Sequence, residues 1–170
     1  MKNILRTICL LGLASLLAGS LFAGQKLTLS GSTTVLPIAQ KGAEDFMKVN
    51  PAIDVSVRGG GSGVGIQALI DSTTDIGDSS RAAKSKEIST ARAKGVTMYA
   101  NIIAKDGICV IVNKANSISQ IDLATLKKIY AGEINKWNDV GGSGGTMVIV
   151  SRDTSSGTFE VFNEKVLKGA

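Results

Sequence analysis

The chain has 170 residues, 44% of them hydrophobic and 19% charged, which excludes a disordered polymer and suits a packed globular domain. Its net charge is +5 and it has no histidine, which removes a Ser-His-Asp triad, a Cys-His dyad and most zinc sites. Aromatic residues make up only 4%, too few for a base-stacking face, and the basic residues are scattered among acids, so nucleic acid is not an expected partner.

Residues 1–23 read as a secretory signal peptide: Lys2 and Arg6 form a short cationic start, and residues 8–22 are an apolar run ending in small residues. The run is at the short end of the ~20 residues a membrane-spanning helix needs. Cleavage is expected after Ala23 or Ser20, although Leu21 suits the first of these poorly. Cys9 lies inside the apolar run and Arg6 stands where a lipid-attachment motif needs an aliphatic residue, so no lipid anchor is expected. That leaves Cys109 alone in the exported chain, without an internal disulfide, and its apolar neighbours predict burial.

Beyond the leader, short β runs alternate with helical stretches, the pattern of an α/β fold. Residues 26–30 alternate as a strand, and residues 35–49 place Val35, Ile38, Ala39, Ala43, Phe46 and Met47 near one helical face. A second strand is predicted at 53–57, a short helix at 63–70 and a brief strand at 75–77. Residues 84–94 form a polar helix stopped by Gly95. Residues 96–104 and 108–112 read as strands, the second apolar throughout, as in a sheet buried on both faces. Asp122 caps a helix running to Tyr130, on which Leu126, Ile129 and Tyr130 share a core-facing stripe; Trp137 then packs under a loop. Residues 147–150 read as another buried strand, and 158–167 as a last helix. The sequence stops directly after that helix, which predicts a fragment of a larger fold.

Four loops share one design: each follows a predicted strand, is rich in Ser, Thr and Gly, and precedes a helix or turn. They are residues 30–34 (Ser-Gly-Ser-Thr-Thr), 59–63 (Gly-Gly-Gly-Ser-Gly), 77–81 (Gly-Asp-Ser-Ser-Arg) and 152–158 (Arg-Asp-Thr-Ser-Ser-Gly-Thr). A helix start offers unpaired N–H groups and the positive end of the helix dipole, which together favour an anion. Glycine lets backbone amides approach, hydroxyls add donors, and Arg152 supplies a cation with a two-pronged fork. Taken singly, each loop also reads as a flexible connector or an ordinary N-cap, and Arg81 and Arg152 as surface charges; four in series point to oxyanion capture. No P-loop spacing is present.

These loops, in order and with natural spacing, resemble the periplasmic phosphate-binding protein family of phosphate ABC transporters. The carrying segments are 30–37, 59–63, 75–81 and 151–159, with residues 129–137 (Ile-Tyr-Ala-Gly-Glu-Ile-Asn-Lys-Trp) similar to another segment of that family. The resemblance implies a periplasmic-binding-protein-like α/β fold of type II, with two lobes around a ligand cleft. Residues 24–100 would be the first lobe and 101–170 the start of a second, with the C-terminal part missing. It also implies a periplasmic, non-enzymatic receptor that captures inorganic phosphate without a metal or cofactor and delivers it to the membrane permease of an ABC transporter.

By the same likeness, Ser32, Thr33, Thr34 and Ser62 would donate to phosphate from one side. Arg152, Ser155, Ser156, Gly157 and Thr158 would do so from the other. Some relatives carry an acidic residue in the third loop that accepts the phosphate proton; the aligned residue here is Ser80, which can both donate and accept. Rejection of sulfate would then rest on Asp78, Asp153 or neither. The alternatives are a receptor for sulfate, molybdate or tungstate, a secreted phosphoester hydrolase using the same loops, and a surface protein with a vestigial site.

Overall fold

The computed structural model describes residues 24–168, so the expected signal peptide lies outside the described residues. Three parallel strands, β1 (Gln25–Gly31), β2 (Ile53–Gly59) and β3 (Ile76–Asp78), form a sheet in the order β2-β1-β3. β1 is central: Gln25 to Gly31 pair in register with Ile53 to Gly59, and Leu29 to Gly31 pair with Ile76 to Asp78.

Helix α1 (Leu36–Val49) connects β1 to β2 and packs against β2, while α2 (Ser62–Ile70) connects β2 to β3 and packs against β1 and β3. The chain moves one way from β1 to β2 and the other way to β3, so right-handed crossovers put the two helices on opposite faces. Such a reversal leaves a crevice at the carboxyl ends of β1 and β3, where ligands of α/β sheets bind.

Local sequence explains these elements. Pro37 sits in the first turn of α1, where its missing N–H is no loss. In α1 the expected stripe is covered only in part: Ala43 is buried, whereas Ile38 and Phe46 are exposed. Helix α3 (Ser85–Ala93) ends as predicted at Gly95 (φ 77°), whose amide donates to Arg92 O while Val96 N donates to Ala91 O. The core of this unit is Ile66, Ile70 and Ala91, with Ala83, Val96 and Met98 packed on it.

The C-terminal segment is sparser. Helix α4 (Leu123–Tyr130) is capped as predicted, Asp122 accepting from Thr125 N at 2.8 Å, and it buries Leu126 and Ile129. Trp137 opens a 3-10 turn (Trp137–Val140), half-buried beneath the turn at Gly144. The last helix begins as α5 (Gly157–Phe162) and widens into a π-helical turn (Asn163–Leu167) that packs on α4, with Tyr130 and Phe162 rings 4.6 Å apart.

The strands expected at 96–104, 108–112 and 147–150 do not form, and the chain there has no ladder. Apolar alternation reports a wish to be buried, but a strand exists only where a neighbour completes its hydrogen bonds. Val96 and Met98 reach the core, whereas Tyr99, Ile102, Ile111 and Val148 are each more than four-fifths exposed, at 82%, 89%, 85% and 87%. Only a single antiparallel bridge, Lys136 to Thr146, appears near the third segment, beside buried Met147. Cys109 is consequently exposed rather than buried, because no sheet surrounds it.

Ile70 is 2% exposed at the centre of the core. Truncating Ile70→Ala is expected to cost about 2–5 kcal/mol through lost burial and a residual cavity. Denaturant titration of both chains measures this, and a difference below about 1 kcal/mol would show that Ile70 is not central.

Candidate functional site

Parallel pairing brings the first three glycine- and hydroxyl-rich loops to one edge of the sheet, since Gly31, Gly59 and Asp78 lie at matching carboxyl ends. The fourth loop arrives from far along the chain. Gly63 N donates to Ser155 O at 3.2 Å, Ser155 Oγ donates to Gly60 O at 3.0 Å, and Arg152 Nη2 donates to Thr33 Oγ1 at 2.7 Å. All four loops therefore meet at this edge.

Two glycines permit the approach. Gly61 has φ 102°, a region that L side chains avoid, and a Cβ there would collide with the carbonyl of Ser155. At Gly157 a Cβ would run into the hydroxyls of Ser62 and Ser80. Bare backbone at the start of α5 thus lies directly over those two hydroxyls.

The predicted residues fall into two groups. Ser32, Ser62 and Ser156 are buried, at 2%, 0% and 2% exposure. Each accepts from a backbone amide: Ser32 Oγ from Thr34 N (3.2 Å) and Val35 N (3.3 Å), Ser62 Oγ from Ser80 N (3.0 Å), and Ser156 Oγ from Phe159 N (3.4 Å). Ser62 and Ser80 hydroxyls also touch at 3.1 Å. The second group is more open: Thr33, Thr34 and Arg152 are exposed, and Ser80, Ser155 and Thr158 are half-buried.

The two acidic residues near the loops differ. Asp153 is exposed and shares the single hydroxyl hydrogen of Ser155 with Gly60 O, a bond that holds its carboxyl below the ordinary aspartate range. Asp78 is half-buried, one of its oxygens is buried without a hydrogen bond, and burial pushes its pKa up.

Arg81 is not a surface charge. Its side chain is 6% exposed and forks onto Glu87 of α3, with Nη1 and Nη2 at 2.9 and 2.8 Å from the two carboxylate oxygens, while Nε faces Glu160 of α5. The bond to Glu87 raises the guanidinium pKa further and holds Glu87 below its usual value. Nothing local in the sequence ties Arg81 to Glu160; the one available sign was an acidic residue in the first turn of a helix. Among the described residues no cluster of His, Cys, Asp and Glu is arranged to hold a metal, and no helix is long and apolar enough to cross a membrane.

The hydroxyl- and glycine-rich loops thus gather at the carboxyl edge of a parallel sheet in an α/β fold. The chain belongs to the PBP superfamily domain family, whose model matches residues 18–170. It is 35% identical to the phosphate-binding protein PstS of Bacillus subtilis (strain 168) over 87% of this chain and 48% of that protein. It is 33% identical to Protein SphX of Synechococcus elongatus over 98% of this chain and 53% of that one.

Among solved structures it is similar to a phosphate ABC transporter substrate-binding protein with bound phosphate from Clostridium perfringens. That match has a TM-score of 0.74 at 34% identity and covers 84% of this chain and 56% of the other. It is also similar to an ABC-type phosphate transport receptor from Vibrio cholerae, with a TM-score of 0.61 at 30% identity over 82% and 54% of the two chains. The chain spans about half the length of the curated relatives it matches.

Because burial raises the Asp78 pKa, the folded chain keeps that proton to higher pH than the unfolded chain does. Its contribution to stability is therefore full below the unfolded aspartate pKa and declines as pH rises through the folded value. Asp78→Asn is expected to gain stability relative to the parent between pH 4 and pH 7. Urea midpoints at the two pH values measure the gain, and an unchanged difference would contradict the burial effect.

Proposed function

We propose that this chain is the oxyanion-capturing part of an exported solute receptor, that its ligand is inorganic phosphate, and that the receptor delivers it to the membrane permease of an ABC transporter. The carrying observation is the meeting of four loops around hydroxyls that are already oriented. A serine oxygen that accepts from a backbone amide still has its own hydrogen to give. Ser32 and Ser156 are each in that state, fixed by Thr34 N and Val35 N and by Phe159 N; Ser62 accepts from Ser80 N and bonds the Ser80 hydroxyl, which leaves one hydrogen of that pair to give. Donors fixed in advance need little reordering when an anion arrives.

The start of α2 adds amides and a helix dipole, and Arg152 adds a charge whose fork can meet two oxygens. In this reading Ser32, Thr33, Thr34, Ser62 and Ser80 contact phosphate from the sheet side. Arg152, Ser155, Ser156, Gly157 and Thr158 contact it from the other. The names of the PstS relatives and the phosphate-bound structure of the C. perfringens protein support this ligand over sulfate, molybdate or tungstate.

The same reading divides the chain into a first lobe at 24–100 and the start of a second at 101–170, places the receptor in the periplasm, and gives it no catalytic step. Asp78 supports selectivity better than Asp153: its unpartnered, partly desolvated oxygen is suited to accept the proton that phosphate carries and sulfate lacks, whereas Asp153 is already engaged by Ser155.

Calorimetric titration of the chain with phosphate, in the presence and absence of excess sulfate, tests the assignment. Binding that sulfate leaves unchanged is expected, and Arg152→Ala should weaken it by about tenfold or more, the loss of a charge-assisted contact. Displacement by sulfate would overturn phosphate selectivity, and parental affinity in the Arg152 variant would remove Arg152 from the site.

A further inference from the structure

Arg81, Lys84, Glu87 and Glu160 form a charge-balanced quartet joining two parts of the chain. Arg81 follows β3 directly, Lys84 and Glu87 belong to the start of α3, and Glu160 lies in the first turn of α5. Arg81 is tied first to its own unit: Glu87 takes both terminal nitrogens, Arg81 Nη1 also donates to Ala82 O at 2.9 Å, and Glu87 accepts from Lys84 N at 2.7 Å.

The remaining face of the guanidinium, Nε, meets Glu160 as an ion pair rather than an aligned hydrogen bond. Lys84 Nζ reaches the same Glu160 oxygen at 3.3 Å. Arg81 is nearly inaccessible, and Glu87 and Glu160 are only 22% and 21% exposed, so screening by water is incomplete.

We propose that Glu160 is a positioning residue, and that its pairing with Arg81 and Lys84 clasps the start of α5 onto the sheet unit. The geometry makes the clasp one-sided. If α5 moved away, Arg81 would keep Glu87 and stay in place, while Glu160 would leave two cations behind. Arg81 already holds Glu87 with both terminal nitrogens, so Glu160 meets a guanidinium whose orientation is fixed from within the sheet unit. Glu160 stands three residues after Gly157, on the helix whose start covers Ser62 and Ser80. The clasp therefore acts at one helical turn from the loop contacts, and the side chains of Arg81, Lys84, Glu87 and Glu160 are not among the ten residues assigned to the anion. Its bearing on phosphate rests on the reading of the site given above; its bearing on docking does not.

Hydrogen exchange at two neighbouring amides separates these claims. Gly63 N donates across the junction to Ser155 O, whereas Gly65 N donates within the sheet unit to Gly61 O. In Glu160→Gln, Gly63 is expected to exchange about tenfold faster or more, as for loss of a charge-assisted contact, with Gly65 unchanged. Glu160→Asp should recover part of that protection, and phosphate affinity in the glutamine variant should fall in parallel. Parental exchange at Gly63, or equal loss of protection at both amides, would overturn the clasp. A selective change at Gly63 in a chain that binds no phosphate even with Glu160 intact would support the clasp and sink the phosphate reading instead.

Discussion

Everything at the site depends on β1 being the middle strand of a parallel sheet. Parallel neighbours lie about 4.8 Å apart with their carboxyl ends on the same side, and the register sets Gly31 beside Gly59 and Asp78. Three loops separated in sequence therefore leave one edge within a few ångströms of each other. A slip of one residue would turn alternate side chains to the opposite face and scatter the hydroxyls. The reversal of chain direction after β2 then opens the crevice beside β1, instead of capping it with a helix.

Onto this edge the fourth loop docks mainly through polar contacts. Ser155 gives and receives hydrogen bonds with the glycine loop, Arg152 reaches Thr33, and Glu160 meets Arg81 a turn away. The hydrophobic core of Ile66, Ile70 and Ala91 lies behind α2 and α3, not in this junction. A junction built from a few directional bonds is specific about geometry yet modest in strength, since each bond exchanges protein for water partners.

Much of this could be read from sequence because the signals are local. The strand at 53–57, the helix carrying Leu126 and Ile129, the Asp122 cap and the Gly95 stop each depend on neighbours within a turn or two, and each is present, while the stripe around Ala43 is buried only in part. The four loops were legible for the same reason: a hydroxyl or glycine before a helix start has a local meaning. Residues 96–104, 108–112 and 147–150 were not, because a ladder depends on a partner elsewhere, and Cys109 follows its segment into solvent. Arg81 was equally opaque, since one of its two carboxylate partners stands on a helix that begins well over sixty residues later. The sequence also named Ser32, Ser62 and Ser156 only as donors, whereas the structure adds their duty as acceptors that fix the hydroxyls.

The unladdered stretch from Tyr99 to Val112 has a consequence for the chain in company. Its backbone donors and acceptors have no sheet to enter, and Tyr99, Ile102, Ile103 and Ile111 stand open beside them. A polypeptide in that state is a template for strand addition, whichever chain supplies the strand. Pairing between copies depends on how often they meet, so self-association would rise steeply with concentration while the sheet unit stayed folded. Such pairing would draw on the exposed backbone of this stretch and leave the core of Ile66, Ile70 and Ala91 untouched.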